Sequence, residues 1–174
     1  AIKIFSEEID MFGENTYIFE ETDPMNKIQN VIATVYKNSE AGQFRSERYA
    51  FMYKPSDTEY DVTTKVGFYT QVAGLGLVPT KVKIKQVQCL AEWMKGRKWD
   101  GNINYNALCN FWRSVENFTS DYKVSTWAVS QATAMRKVNL TGGINLHEEG
   151  GYASGGFMAD SKIGTFVSCG SQQQ

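Results

Sequence analysis

The second half of the chain contains several carboxylates that could take part in acid–base chemistry. They are Glu116, Asp121, Glu148, Glu149 and Asp160. Glycoside hydrolysis needs two such groups, one acid and one base or nucleophile, flanking the bond that is broken. Asp160 lies among apolar residues, where burial would raise its pKa and suit it to the acid role. The alternative is a structural Asp that accepts backbone hydrogen bonds at a corner of the chain.

Aromatic residues make up 13% of the 174 residues, which is enough to build surfaces that stack on sugar rings. Trp93 and Trp99 lie in a polar stretch and are the tryptophans best placed for binding. Trp112 and Trp127 lie in apolar runs, which favours the core for both. The other candidates for contact with a sugar are Tyr69, Gln71, Gln131 and Tyr152.

Other kinds of site find little support. His147 is the one histidine, so a His-based triad or a multi-His metal site is excluded within this chain. The Gly-rich segments 74–76 and 150–156 do not match the phosphate-binding loop pattern, and glycine at tight corners explains them better. We therefore predict neither a metal nor an organic cofactor.

Charge and hydropathy exclude further partners. Lys and Arg number 18 against 19 Asp and Glu, so bulk positive charge cannot drive nucleic-acid binding. No run approaches the roughly 18 apolar residues that a membrane-spanning helix needs. The predicted partners therefore include neither nucleic acid nor membrane.

The three cysteines leave the redox compartment open. Cys89 and Cys109 flank a polar, Trp-containing stretch, and a disulfide closing this loop would contribute roughly 3 kcal/mol. Two buried free thiols are the equally favoured alternative. Cys169 is predicted to pack as a small hydrophobic residue.

One helix is predicted over residues 24–38. Asp23 is a good N-cap, and Pro24 suits the first helical position. An apolar stripe follows at helical spacing, consisting of Ile28, Val31, Ile32 and Val35.

After this helix the apolar pattern changes to a period of two, which predicts strands over residues 48–55, 66–73 and 82–88. Residues 90–109 are predicted to leave the sheet as an inserted loop. In the second half, Arg113 and Val115 match Arg136 and Val138 at a spacing of 23 residues, with a poorer third copy at Lys162. This period predicts the stacked coils of a parallel β-helix, and a β-sandwich is the alternative.

Five ordered blocks carry a resemblance to a known family. They begin at Phe44, Val66, Asn110, Trp127 and Tyr152, and the chain closes on Gly-Ser-Gln-Gln-Gln at 170–174. These blocks resemble secreted microbial proteins related to the family-55 glycoside hydrolases. The resemblance covers nearly the whole chain and implies a right-handed parallel β-helix and exo-acting hydrolysis of β-1,3-glucan.

The resemblance also implies what the chain lacks. Family members are several times longer, and their general acid belongs to a second β-helix that has no counterpart here. We therefore expect a single mainly β domain over residues 1–174, the N-terminal part of a longer β-helical protein, with residues 24–38 as its capping helix. The expected function is recognition of β-1,3-glucan outside the cell, with hydrolysis if a second half supplies the acid.

Two further expectations concern partners. A non-catalytic structural or assembly protein is the alternative function, because a β-helix is a rigid rod with open ends. The chain closes on Gln174 without a capping element, so we expect the last coil to be covered by the remainder of the polypeptide or by another copy.

Overall fold

A computed structural model of the chain describes residues 12–97, 101 and 103–172. Its main helix is α1 (Met25–Ser39), and short 3₁₀ helices span Pro79–Lys81 and Glu92–Met94. The strands are β1 (Thr16–Phe19), β2 (Tyr49–Tyr53), β3 (Tyr60–Lys65), β4 (Thr70–Gly74), β5 (Ile84–Gln88), β6 (Lys95–Arg97), β7 (Ile103–Tyr105), β8 (Arg113–Ser120), β9 (Val124–Thr126), β10 (Thr133–Leu140), β11 (Gly143–Asn145), β12 (Tyr152–Ala153), β13 (Phe157–Ala159), β14 (Lys162–Ile163), β15 (Val167–Ser168) and β16 (Ser171–Gln172).

The strands wind into a parallel β-solenoid of about five turns, which confirms the predicted fold. One face is the parallel sheet β1-β2-β4-β8-β10-β13, which β14 extends by pairing with β10. The pairs β3-β5 and β12-β16 and the triple β9-β11-β15 form the other faces. Successive turns of the chain therefore stack strand on strand along these faces.

The predicted period of 23 residues matches the step from β10 to β13, but the predicted alignment of β8 with β10 is wrong. Arg113 pairs with Thr133, twenty residues on, and Arg136 pairs with Glu116. The core-facing residues repeat at this spacing, because Val115 lies beside Met135 in the sheet. A shift of three residues would turn the buried face of a strand toward solvent. Burial therefore fixes a register in which the two matching arginines do not pair.

Two strand predictions agree with the structure, and a third agrees in part. Strands β2 and β5 lie within the predicted ranges 48–55 and 82–88. The predicted strand over 66–73 is correct only in its second half, because β3 ends at Lys65 and β4 begins at Thr70. Tyr69 between them has φ 55°, a left-handed conformation that ends regular pairing and makes a corner.

Helix α1 buries its predicted apolar stripe, and its N-terminus differs from the prediction. Ile28, Val31, Ile32 and Val35 are all buried against the solenoid. The N-cap is Pro24 instead of Asp23. The Asp23 carboxylate accepts a hydrogen bond from the Glu20 backbone N–H at 2.9 Å, so it closes the preceding turn.

The helix also covers the edge of strand β3 with a side-chain amide. Gln29 Oε1 accepts from the Thr63 backbone N–H at 2.8 Å, and Gln29 Nε2 donates to the Thr63 carbonyl at 3.1 Å. The amide thus occupies the place of a neighbouring strand, and it satisfies backbone groups that an open edge would leave unpaired.

The predicted excursion over residues 90–109 contains an antiparallel hairpin. Strands β6 and β7 pair with Lys95 opposite Tyr105. The chain returns to the solenoid where the Ala107 backbone N–H donates to the Tyr152 carbonyl at 2.7 Å. The insertion is thus tied to the same face as β12.

Replacing Gln29 by Ala tests the role of the side-chain amide at the sheet edge. We expect Q29A to lower the free energy of unfolding by about 1–2 kcal/mol, because two backbone groups of Thr63 lose their partners. Urea denaturation followed by circular dichroism measures the change. Asn30, the next residue of the helix, is exposed, and N30A should change stability by less than about 0.5 kcal/mol. Equal losses in both variants would contradict the edge-covering role.

Candidate functional site

Four residues at one position of successive coils form a ladder along the solenoid axis. Arg48, Tyr69, Trp112 and Ala132 each precede the first residue of a paired strand, since Tyr49, Thr70, Arg113 and Thr133 lie side by side in the main sheet. We call these four residues the corner ladder. Tyr69, Trp112 and Ala132 have φ of 55°, 57° and 56°. Bulky residues rarely adopt this backbone, and such strained positions are concentrated at functional sites.

The three large members of the corner ladder stack on one another. The rings of Tyr69 and Trp112 are nearly parallel, with an interplanar angle of 14° and centroids 6.5 Å apart. The Arg48 guanidinium lies 3.6 Å from the centroid of the Tyr69 ring. The Tyr69 hydroxyl donates to the Gln43 carbonyl at 2.8 Å, which fixes the ring. Tyr69 is therefore held between a cation and an indole, and it supports Trp112.

The corner ladder lies in a groove of about 740 Å³. Residues 12–16 line the groove together with the first residues of β2, β4, β8 and β10. Gln71 also lines it, and Gln71 Nε2 donates to Glu116 Oε1 at 3.2 Å. The groove thus combines an aromatic platform with a side-chain amide that a neighbouring carboxylate orients, as sites for small polar ligands do.

Trp112 is the main correction to the predicted site. The sequence predicted it in the core, but 52% of the residue is exposed in the groove. Trp127 is buried as predicted. The apolar residues around Trp112 led to the wrong prediction because the left-handed backbone at Trp112 turns its side chain away from the direction that strand alternation gives. The signal that identifies Trp112 is its equivalence to Tyr69, which only the coil register reveals.

The structure brings Tyr69 and Gln71 together in the groove and places Trp93 elsewhere. Trp93 Nε1 donates to Asn110 Oδ1 at 2.6 Å, and its ring packs edge-on against Phe68 at 5.5 Å. Trp93 is half-buried and supports the base of the inserted hairpin. Trp99 lies outside the described residues.

Gln131 and Tyr152 differ in their relation to the groove. Gln131 is exposed and directly precedes Ala132, the last member of the corner ladder, but it does not itself line the groove. Its Nε2 donates to Ser154 Oγ at 3.1 Å. Tyr152 belongs to β12 on another face of the solenoid, and its carbonyl accepts from Ala107.

Asp160 is exposed, so the predicted burial is wrong. Its carboxylate forms an ion pair with Arg136 Nη2 at 3.0 Å. Its φ of 52° places it at the corner between β13 and β14. The structural alternative, an Asp at a coil corner, therefore describes this residue better than a buried acid does.

Two other candidate carboxylates have structural partners. Asp121 bonds to Lys83 Nζ and to the Thr141 hydroxyl, and these hydrogen bonds hold the pKa of Asp121 below its usual value. Burial raises the pKa of Glu148, whose Oε2 accepts from the Ala91 backbone N–H at 2.5 Å. Each carboxylate joins neighbouring segments of the solenoid.

The predicted bridge between Cys89 and Cys109 is not formed in the structure, where both are free thiols. Cys89 is buried, and Arg113 Nη1 donates to its sulfur at 3.3 Å. Arg113 is itself buried and also donates to the Val66 carbonyl at 3.0 Å. The sulfur is thus part of a polar layer inside the coil corner.

Neither a metal centre nor a membrane helix is found within the described part of the chain. Among residues 12–97, 101 and 103–172, no three His, Cys, Asp or Glu side chains are grouped to hold a metal ion. The helices of those residues are too short or too polar to cross a membrane.

The described part of the chain is a parallel β-solenoid with an aromatic groove, and comparison with known proteins identifies its relatives. No protein-family model matches the chain. The chain is 42% identical over 166 residues to an exo-β-1,3-glucanase of Streptomyces sp. (strain SirexAA-E / ActE). The match covers 93% of this chain and 26% of that enzyme, so the chain spans about a quarter of its relative.

Two solved structures share the fold. The structure of sacteLam55A from Streptomyces sp. SirexAA-E matches with a TM-score of 0.82 and 41% identity, over 93% of this chain and 28% of that one. A variant of the same protein in complex with glucose matches with a TM-score of 0.81, 41% identity and the same coverage. The resemblance to family-55 glycoside hydrolases is thereby confirmed.

Alkylation of the native protein tests the state of the cysteines. Burial raises the pKa of the Cys89 thiol, so it stays protonated and enclosed, and we expect iodoacetamide to modify it only after unfolding. Cys169 is exposed and serves as the internal control that reacts in the native protein. Peptide mass spectrometry without reductant measures both. If neither Cys89 nor Cys109 reacted even after unfolding, the two would be joined by a disulfide.

Proposed function

We propose that this chain recognises β-1,3-glucan through the groove that contains the corner ladder. The observation that carries the proposal is the exposed indole of Trp112 on a stacked support, in a chain 42% identical to an exo-β-1,3-glucanase. The glucose complex of a structural relative supports a sugar as the ligand.

The chemistry of the groove suits a glucosyl ring. The axial C–H groups of a β-glucosyl unit form an apolar face that packs on an aromatic ring, while its equatorial hydroxyls point outward. Trp112 supplies the aromatic platform, and Gln71, whose amide donates to Glu116, supplies hydrogen-bonding groups beside it. Such sites bind through the apolar contact and orient the ligand through a few polar groups.

Hydrolysis requires more than the described groove. The carboxylates Asp121, Glu148 and Asp160 are engaged in ion pairs or backbone contacts of the solenoid. We propose that the general acid belongs to another part of the protein, since the chain spans about a quarter of the glucanase it resembles. Because β-1,3-glucan is a polymer outside the cell, the proposed location is extracellular.

The last described coil offers an apolar edge. Phe157, Phe166 and Val167 of this coil are exposed. We propose that further coils of the same polypeptide cover this edge, with a second copy of the chain as the alternative. In either case the edge strands β13 and β15 would gain backbone partners.

Replacing Trp112 by Ala tests the platform. We expect W112A to weaken binding of β-1,3-gluco-oligosaccharides at least tenfold, because loss of the stacking contact removes about 1.4 kcal/mol. Alanine suits this backbone, since Ala132 adopts the same left-handed conformation one coil later. Isothermal titration calorimetry gives the dissociation constants, and cello-oligosaccharides of the same length report the linkage preference.

The matched control is Tyr122, an exposed aromatic residue just beyond the far end of β8. Y122A should bind β-1,3-gluco-oligosaccharides as the wild type does. If the wild-type chain failed to bind them at millimolar concentration, the glucan proposal would be rejected and a structural role for the solenoid favoured. If W112A bound normally while the wild type also bound, the platform would lie elsewhere.

A further inference from the structure

The corner ladder changes abruptly from large to small residues along the solenoid axis. Arg48, Tyr69 and Trp112 carry planar groups, whereas the next coil has Ala132 at the same position. The coil after that has Gly155, because Ala134 pairs with Phe157 in the main sheet. Ala132 is exposed and lines the groove beside Trp112.

This change leaves one face of the Trp112 indole for a ligand. Tyr69, in the preceding coil, covers one side of the indole with nearly parallel geometry. The opposite side is turned toward the following coil, where Ala132 contributes only a methyl group. Neighbouring coils are about 4.8 Å apart, which lies within the range of roughly 4.5–7 Å between the centroids of stacked rings. The space over the Ala132 methyl group, next to the Trp112 indole, can therefore accept one more planar or near-planar group in place of the missing side chain. We call this space the slot.

The edge of this position is polar. Gln131 lies next to Ala132, and its amide is held by Ser154 Oγ, to which Nε2 donates at 3.1 Å, and by Ser130 Oγ, which donates to Oε1 at 2.5 Å. A glutamine amide has two N–H donors and two acceptor lone pairs. One donor and one acceptor of this oriented amide thus stay available to hydroxyl groups of a ligand.

We infer that one glucosyl unit of the glucan occupies the slot above Ala132, stacked on the free face of Trp112 and hydrogen-bonded at its rim by Gln131. This inference rests on the proposed function and assigns the position of one sugar unit within it. In this arrangement Trp112 and Gln131 contact the sugar, while Tyr69 and Arg48 are positioning residues that hold the indole from behind.

The decisive variant fills the slot with a protein ring. Phenylalanine at Ala132 would continue the stack of Tyr69 and Trp112, and both of those aromatic residues already adopt the left-handed backbone that Ala132 has. We expect A132F to fold and to raise the dissociation constant for β-1,3-gluco-oligosaccharides at least tenfold. A132S, which leaves the slot open, should bind within about twofold of the wild type. Thermal unfolding of each variant checks that the fold is retained.

Methyl NMR on the wild-type chain locates the ligand without any substitution. With ¹³C-labelled alanine methyl groups, the Ala132 signal should shift on titration with the oligosaccharide, while the buried Ala128 on another face stays unchanged. An unshifted Ala132 methyl group, or an A132F variant that binds like the wild type, would overturn the slot and leave glucan recognition intact. Absence of binding by the wild type would instead remove the proposed function on which the inference rests.

Discussion

A single coil of this molecule cannot bury its own side chains, and the whole structure depends on the register in which coils stack. Phe51, Val72, Val115 and Met135 lie side by side in the main sheet, and all four are buried. Each such side chain gains roughly 1.5–3 kcal/mol on leaving water, but only because the coil on either side supplies the contact. The same register places equivalent surface residues in rows, so the core packing determines the surface ladder.

The corners of the coils are set by backbone conformations that strands do not use. Besides three members of the corner ladder, Asn117, Lys137 and Asp160 have positive φ and bend successive strands of the main sheet. Asn117 Nδ2 donates to the carbonyls of Gly74 and Gly76 at 2.7 and 2.6 Å, so one side chain closes the corner of the preceding coil. A Cβ at Gly74 would lie 2.0 Å from the Asn117 carbonyl oxygen, which makes glycine necessary there.

Local patterns in the sequence predicted the elements well and the coil register poorly. The stripe from Ile28 to Val35 predicts the helix because helix burial is a local property with a fixed period. The resemblance to a known family and a period near 23 residues both indicated stacked coils. The alignment of Arg113 with Arg136 failed because β8 and β10 pair at a step of twenty residues, which the burial of Val115 beside Met135 fixes and no local pattern reports.

The residues of the candidate site were also predicted well where residue type decides and poorly where coil register decides. Tyr69 and Gln71 were identified by residue type, but their partners depend on which coil lies next to which. Trp112 was assigned to the core because its neighbours are apolar, and Asp160 was predicted to be buried for the same reason. Both residues have positive φ, so both side chains leave the direction that alternation predicts. These two errors in the predicted site thus coincide with the strained corners.

Stacking also explains why the platform is preorganised. Tyr69 and Trp112 belong to neighbouring coils whose backbones are joined directly, since the Tyr69 N–H donates to the Trp112 carbonyl at 2.7 Å. Their rings are therefore held by the sheet itself and not by a mobile loop. A ligand that packs on such a surface loses less free energy to the ordering of side chains than one that must assemble its own site. Coil packing sustains the strain of these left-handed aromatic residues. The exposed indole of Trp112, the last aromatic member of the corner ladder, thereby offers a flat surface.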